Sequence, residues 1–563
     1  MYWMMNKKVK ICLLGICFLN LYDVQAFQDS CINVMQFGAK ANDGKDDTKA
    51  LRKAARYCRE HEGCTLVFSP GVYQLKDEKA IELEEKVLAG EMGENPEKVI
   101  FTPFYPYSKG LDLTGARNVT LQADGAILQC EGWLEPISIE NCENVVVDGI
   151  TIDYKRKPFS TGDVVAVGKD YFDVLFSDEH VITDKIPLMR MTFWHKEQNY
   201  MHPEPLYFPK RELLGNNRVR FHHSVSETVL GAKAGVGHSF HFRPGIFIHR
   251  SVNTTIKNVT IHSQPGMGIV GFDSKDIYLA HLSIVPAPGY YFSTNTDATH
   301  FACCEGTLHF NGCSFRGQGD DATNVHGYYQ TILNADGKSA RLRINAPTYT
   351  HAQIPDIPRV GDEMELVDAK TLCPVQVYKV AKAECAINSI EPIVVFTEDL
   401  PRNFSDFYLM NITKLPALIF ENSLIDSHHA RGVLVKTRNV LIQNNVFRSG
   451  TGTAIHIGAE GNWHEGSHSK NVRVRNNVIN RCGLGAGTQN GACGIAVNVS
   501  ASNTERTFLH DNIYIENNLI SGEDNVCGIY VGNVDKVFLK GNLIQGCQHD
   551  IISCNVKDIY SLE

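Results

Sequence analysis

One pattern recurs along the chain: a short run of alternating apolar and polar residues, a corner at Asn, Asp or Gly, then a second apolar run. It starts as Asn118-Val-Thr-Leu and returns as Asn144-Val-Val-Val-Asp-Gly-Ile-Thr-Ile, Asn253-Thr-Thr-Ile-Lys-Asn-Val-Thr-Ile and Asp276-Ile-Tyr-Leu-Ala-His-Leu-Ser-Ile. Further copies begin at Ala417, Asn439, Asn471, Asn512 and Lys536. Period-two alternation marks half-buried strands, and Asn tolerates the left-handed backbone that a tight corner needs. Clean neighbours are 22 residues apart (417 to 439), 24 (512 to 536) or 26 (118 to 144). A repeat of that length made of strand and turn fits one coil of a parallel β-helix, because a single coil cannot bury its inward side chains and a stack of coils can. The predicted class is all-β, a right-handed parallel β-helix. A leucine-rich repeat fits poorly, since β-branched residues run throughout and the LxxLxLxxN frame is missing. Paired Asn at 444/445, 476/477 and 517/518, with Asn542, predicts amide hydrogen bonds running from coil to coil.

The ends and interruptions complete the plan. A glycine-rich turn over residues 37–47 leads into 48–61, where Ala50, Leu51, Ala54, Ala55 and Cys58 fall at helical spacing, predicting an amphipathic helix that caps the open first coil. Two stretches break the repeat, and both read as inserted antiparallel β modules built as small barrels. The resulting division is a signal segment 1–26, cap and first coils 27–154, an insertion 155–245, coils 246–327, a second insertion 328–412, and C-terminal coils 413–563.

Reactive residues are densest between the insertions, in Asn295-Thr296-Asp297-Ala-Thr-His300 and Gly319-Asp320-Asp321-Ala-Thr-Asn324-Val-His326-Gly327. Asp297 and Asp320 are 23 residues apart, one coil, which predicts that they stack on adjacent coils, with Asp321 pointing elsewhere but on the same outer face. Close carboxylates cannot all ionise, so one holds a proton as an acid while others remain bases. Glycosidic hydrolysis needs that combination. Three oxygen ligands also suit Ca²⁺, but a cation site leaves His300 and His326 without a role, and no metal is assigned.

These motifs look like those of the polygalacturonase-type β-helix hydrolases. The fuller pattern, from Phe37-Gly38-Ala39 through both carboxylate segments to the Asn-rich coils, resembles glycoside hydrolase family 110, the bacterial exo-acting α-1,3-galactosidases. The resemblance implies an inverting hydrolase that removes terminal α-1,3-linked galactose from blood-group-B-type branched and linear Galα1-3Gal glycans, with no cofactor. It implies Asp320 as general acid, with Asp297 and Asp321 activating water. An inverting enzyme separates acid and base by about 6.5–9.5 Å, so the pair is expected on a diagonal longer than one coil spacing. Asn295, His300, His326, Arg431 and Trp463 are candidate substrate contacts. His300 and His326 serve equally well as tuners of an Asp or as corner partners, and Trp463 with Glu465 as a sugar-stacking wall or loop filler. Trp194 reads as core. Arg431 and Lys436 lack the compact Arg-x-Lys spacing with which polygalacturonases hold a uronate, which favours a neutral sugar.

Charge and targeting signals narrow the alternatives. The formal net charge of -9 argues against nucleic acid and mildly against an anionic polymer such as polygalacturonate. Lys7, Lys8 and Lys10 precede an apolar run over 11–21, and Val24-Gln25-Ala26 offers a cleavage site, so the chain is expected to be exported, to the periplasm or beyond, rather than held by a lipid anchor. No later segment is apolar for long enough to span a membrane. Of 17 Cys, 15 follow the signal segment, in an odd number without a CxxC spacing, and read as buried small hydrophobes. The oligomeric state is left open, a homodimer included. A pectin hydrolase and a non-catalytic β-helix glycan binder or adhesin are the alternative functions.

Overall fold

The structure, a computed structural model, describes residues 30–344, 355–505 and 507–562. The expected export segment, 1–26, lies outside the described residues.

The recurring motif winds into a parallel β-helix whose strands join one 32-stranded system, parallel except where the short strand Glu465–Gly466 pairs antiparallel with its neighbours. Its core is built of inward columns. Leu66, Leu121, Val147, Ile256, Leu279, Phe310, Phe420, Ile442, Val474 and Ile515 stand in direct register on successive coils. All ten are essentially inaccessible to solvent. A second column runs through Ile137, Ile246, Ile269, Thr299, Thr323, Val433, Ile455 and Ile495. Fully burying a Leu, Ile or Phe side chain is worth about 1.5–3 kcal/mol, and stacking alike residues makes that gain repeat on every coil.

The corners follow the Asn pattern. Asn118, Asn144, Asn253, Asn439, Asn471 and Asn512 all adopt φ between 53° and 60°. Their amides form an outer ladder, the Nδ2 of Asn144 donating to Asn118 Oδ1 at 2.7 Å and that of Asn253 to Asn144 at 2.7 Å. The paired residues form the expected inner ladder. Asn445 donates to Asn477 Oδ1 (3.0 Å), Asn477 to Asn518 (2.9 Å) and Asn518 to Asn542 (2.9 Å), while the same amides also donate to backbone carbonyls.

At the N-terminal end, helix α1 (Thr48–Glu60) lies on the first coil through Leu51, Ala54, Ala55 and Cys58. A second helix, α2 (Glu78–Leu88), was not anticipated. Its N-cap Asp77 accepts from the N–H groups of Lys79 and Ala80.

Both insertions leave the helix and return in register. Val147 pairs with Ile256, and Phe310 with Phe420, across gaps of about a hundred residues. The second module is a closed six-stranded barrel within 330–411. The first departs from the expected barrel: it is an open antiparallel sheet of eight strands. Its path ends on Tyr200–Met201, a strand of two residues, which offers too few ladder groups to close on the far edge at Arg211–Gly215. Trp194 is buried in this module, as anticipated. The fifteen described Cys are all free thiols, ten of them buried. No helix among the described residues is long and apolar enough to cross a membrane.

The inner Asn ladder should be a measurable source of stability. Asn477→Ala takes the acceptor from the Asn445 backbone N–H and a donor from the Ile442 carbonyl in the core, where each unpaired group costs about 1–3 kcal/mol. A clear fall in thermal midpoint is expected, and an unchanged midpoint would show the ladder to be idle.

Candidate active site

The column that carries the site passes from Thr299 to Thr323 to Val433. Its ladder continues past the strand starts, with the Ala298 N–H donating to Asp321 O and the Ala322 N–H to Arg431 O, both at 3.0 Å. The local repeat is therefore 24 residues, and Asp297 stands in register with Asp321 rather than with Asp320. The expected pairing was displaced by one residue, because the interval between Asp residues does not reveal which of two adjacent carboxylates lies on the rung. The conclusion that all three converge holds: an oxygen of each lies within 4.8 Å of the others. The longer diagonal expected between acid and base is absent at the level of nearest oxygens. Gly319 precedes the pair because a Cβ there would collide with Arg190 and with the Asn295 carbonyl.

The carboxylates differ in exposure and in partners. Asp320 has its side chain 35% exposed, against 8% for Asp297 and 4% for Asp321. Arg431 grips Asp321 through Nε to Oδ1 and Nη2 to Oδ2, both at 2.9 Å, and its backbone N–H donates to Oδ1 at 2.8 Å. Arg190 of the first insertion faces Asp320 at 3.5 Å. His300 Nδ1 meets Asp297 Oδ2 at 2.8 Å.

Burial, with the charges of Asp321, Asp320 and Glu465, holds Asp297 well above the usual carboxylate range. Burial also raises Asp321, to about 6, against the pull of Arg431. Burial acts the same way on Asp320, but Arg190 and its other cationic neighbours outweigh it and leave that carboxyl lowered. In the free site the proton thus rests deepest, on Asp297, whereas the family resemblance makes Asp320 the donor.

A second set of charges backs the first. Glu460 accepts from Arg431 at 3.1 Å and pairs with Lys436 at 2.7 Å, and it is lowered to about 2 as these two cations overcome burial. Glu465 accepts from Lys436 and, at 3.1 Å, from Asn324. Among these residues, five carboxylates (Asp297, Asp320, Asp321, Glu460, Glu465) face three cations (Arg190, Arg431, Lys436), and each cation is already engaged. Two groups are compact enough to hold an ion among the described residues, the three Asp and His300–His326–Glu465. The first is matched by guanidinium groups and the second is a hydrogen-bonded chain, so neither is assigned to a metal.

The cleft is open to solvent, has a volume of about 100 Å³ and is lined by His241, Asp297, His300, Asp320, Asp321, Asn324, Arg431, Glu460, Trp463 and Glu465. Trp463, 39% exposed, stands at its rim. The second barrel buttresses the loop that carries it, with Leu372 against Gly461 and Tyr408 against His464. Arg431 is in the cleft, held by two carboxylates. His300 lines the cleft, and His326 lies wholly buried behind it. Asn295 is elsewhere. Its amide donates to the carbonyls of Ser239 (3.0 Å) and Pro265 (3.2 Å), and it borders a separate small cavity beside Phe159 and Phe292. It clamps the first insertion to the helix, which replaces the substrate contact expected for it. Arg190, His241 and Glu460 escaped the sequence reading. They sit outside the repeat's carboxylate segments, and no spacing links them to it.

No family model matches the chain. Curated proteins do. The chain is 27% identical over 502 residues to alpha-1,3-galactosidase B of Bacteroides thetaiotaomicron, covering 83% of this chain and 78% of that one. This chain is similar over most of its length to bacterial α-1,3-galactosidases. The namesake from Bacteroides fragilis is 26% identical over 584 residues, covering 94% and 93%, and alpha-1,3-galactosidase A of B. thetaiotaomicron is 24% identical over 548 residues, covering 90% of each. Among solved structures, a hyperthermoactive exopolygalacturonase from Thermotoga maritima is similar at a TM-score of 0.45 and 12% identity, over 95% of this chain and 92% of that one.

Arg431→Met leaves Asp321 and Glu460 without a common cation and should destabilise the fold by about 3–5 kcal/mol at neutral pH. The variant's Asp321 has a folded pKa raised further above its unfolded value. Wild-type Asp321 is itself raised to about 6, so its part of the gap between variant and wild type opens only above about pH 6 and is full above the variant's folded value, while Glu460, held at about 2 by Lys436 and Arg431, adds its part from about pH 2 upward. Thermal midpoints of variant and wild type should converge on acidification, and a gap that is constant with pH would contradict this electrostatic role.

Proposed function

We propose that the protein is an exported, exo-acting α-1,3-galactosidase that hydrolyses terminal α-1,3-linked galactose from blood-group-B-type branched glycans and from linear Galα1-3Gal, with inversion. The observation that carries this reading is the convergence of Asp297, Asp320 and Asp321 in one cleft, in a chain similar along most of its length to proteins named α-1,3-galactosidase. Export rests on the basic and apolar N-terminal segment.

Asp320 is the donor to the leaving oxygen because its carboxyl alone reaches well into the open cleft. The three carboxylates titrate as one coupled group, so a proton held by the cluster is available to Asp320 when sugar displaces solvent and weakens the hold of ionisation there. Asp297 and Asp321 stand on adjacent rungs. Two oxygens within 4.8 Å can each accept from one water at about 2.8 Å, which positions that water for attack. Trp463 offers an apolar face to the sugar ring at the rim.

Charge supports a neutral substrate over pectin. The cations around the cleft are each engaged by a carboxylate, leaving none to receive a uronate.

Asp320→Asn and Asp297→Asn should each lower turnover of Galα1-3Gal by at least ~10²-fold, the contribution of one positioned acid or base. An NMR time course on B-type trisaccharide should show β-galactose formed first. First-formed α-galactose would mean retention, for which carboxyl groups about 5–5.5 Å apart are the usual geometry. Cleavage of polygalacturonate alone would favour the pectin hydrolase, and binding without sugar release the adhesin.

A further inference from the structure

The contacts behind Asp297 impose a hydrogen count that every assignment of protons must satisfy. His300 Nδ1 lies 2.8 Å from Asp297 Oδ2, His300 Nε2 lies 2.7 Å from His326 Nε2, and His326 Nδ1 lies 2.9 Å from the Gly327 carbonyl oxygen. All three side chains are buried. A carbonyl only accepts, so His326 Nδ1 carries a hydrogen. Each of the other contacts also holds one hydrogen, because two lone pairs, or two N–H groups, repel at such distances. Three contacts need three hydrogens. An ionised Asp297 and two neutral imidazoles supply two, one per ring. One further proton is required, whether on Asp297, His300 or His326, and the trio is electrically neutral in each arrangement.

We infer that Asp297, His300 and His326 act as a single proton store running from the floor of the cleft into the core, in which the two histidines are positioning residues that keep one proton at the carboxylate cluster. Its role rests on the glycosidase reading, while the hydrogen count does not. During hydrolysis Asp320 gives a proton to the leaving oxygen, and the attacking water gives one to the Asp297/Asp321 pair. Asp297 can take that proton on Oδ1 while the stored proton occupies an imidazole. Transfer back to Asp320 through a bridging water then restores the starting count, so no proton is gained or lost over a turnover.

The surroundings favour retention of the stored proton. Asp320, Asp321 and Glu465 all face Asp297 with negative charge, and Glu465 Oε1 also lies 3.7 Å from His326 Nε2. The opposing cations, Arg431 and Lys436, are held by Asp321, Glu460 and Glu465. The low dielectric around the buried rings makes the neutral arrangement cheaper than an unpaired carboxylate.

Neutron diffraction from deuterium-exchanged crystals of the protein at neutral pH counts the hydrogens directly. One deuteron in each of the three contacts is expected, and two in total would overturn the inference. The pH dependence of kcat/KM on p-nitrophenyl α-galactoside tests the role. His326→Phe removes the acceptor for the His300 Nε2 hydrogen, so the store loses its proton more readily and the alkaline limb should move to lower pH by about one unit or more. His326→Gln, whose Oε1 accepts and Nε2 donates in the same places, should restore the wild-type limb. Equal loss at every pH in both variants would reduce the histidines to packing. If the wild-type protein released no galactose, the glycosidase reading would fall and the neutron count alone would decide the store.

Discussion

Rung-to-rung register is the constraint on which the rest of this molecule depends. In a parallel β-helix paired strand residues stack on their counterparts one coil away, about 4.8 Å distant, and cannot be staggered without breaking the ladder. Apolar columns profit from this, since like packs on like from Leu66 to Ile515. Amide columns profit too, because Asn both donates and accepts. A carboxylate column suffers, because like charges at that spacing repel. The stacking of Asp297 on Asp321, with Asp320 beside them, is where the fold accepts this cost at the cleft, and the surrounding residues are arranged to contain it.

Containment comes from outside the column. Arg431, one coil further on, takes Asp321 bidentately and reaches Glu460. Arg190 approaches from the first inserted sheet, and a glycine at 319 leaves it room. His300 and His326 take up Asp297 from below. The same arrangement separates the carboxylates in proton affinity. Burial drives Asp297 and Asp321 upward, while cations hold Asp320 down. Repulsion that would be a defect in a structural column thus becomes the source of acid and base in one cleft.

The inserted modules make the helix into a site. A bare β-helix face is long and open, suited to polymer. Here the eight-stranded sheet brings Arg190 to Asp320, and the six-stranded barrel supports the loop bearing Trp463 and Glu465. Both modules return the chain to the register it left, so the coils carrying the three Asp are undisturbed by either insertion.

Local repetition determined most of the architecture. Alternating strands, Asn corners, the amphipathic stretch ahead of the first coil and the two breaks in the repeat were all legible from residue pattern, because stacking interactions depend on residue type at fixed spacing. The membership of the carboxylate cluster was legible for the same reason. Tertiary structure alone decided the rung on which Asp321 sits, the open edge of the first inserted sheet, the role of Asn295 as a clamp, and the arrival of Arg190 and Glu460. Those outcomes rest on contacts between segments from about 30 to more than a hundred residues apart, or on a one-residue choice of register, and neither leaves a periodic mark in the chain.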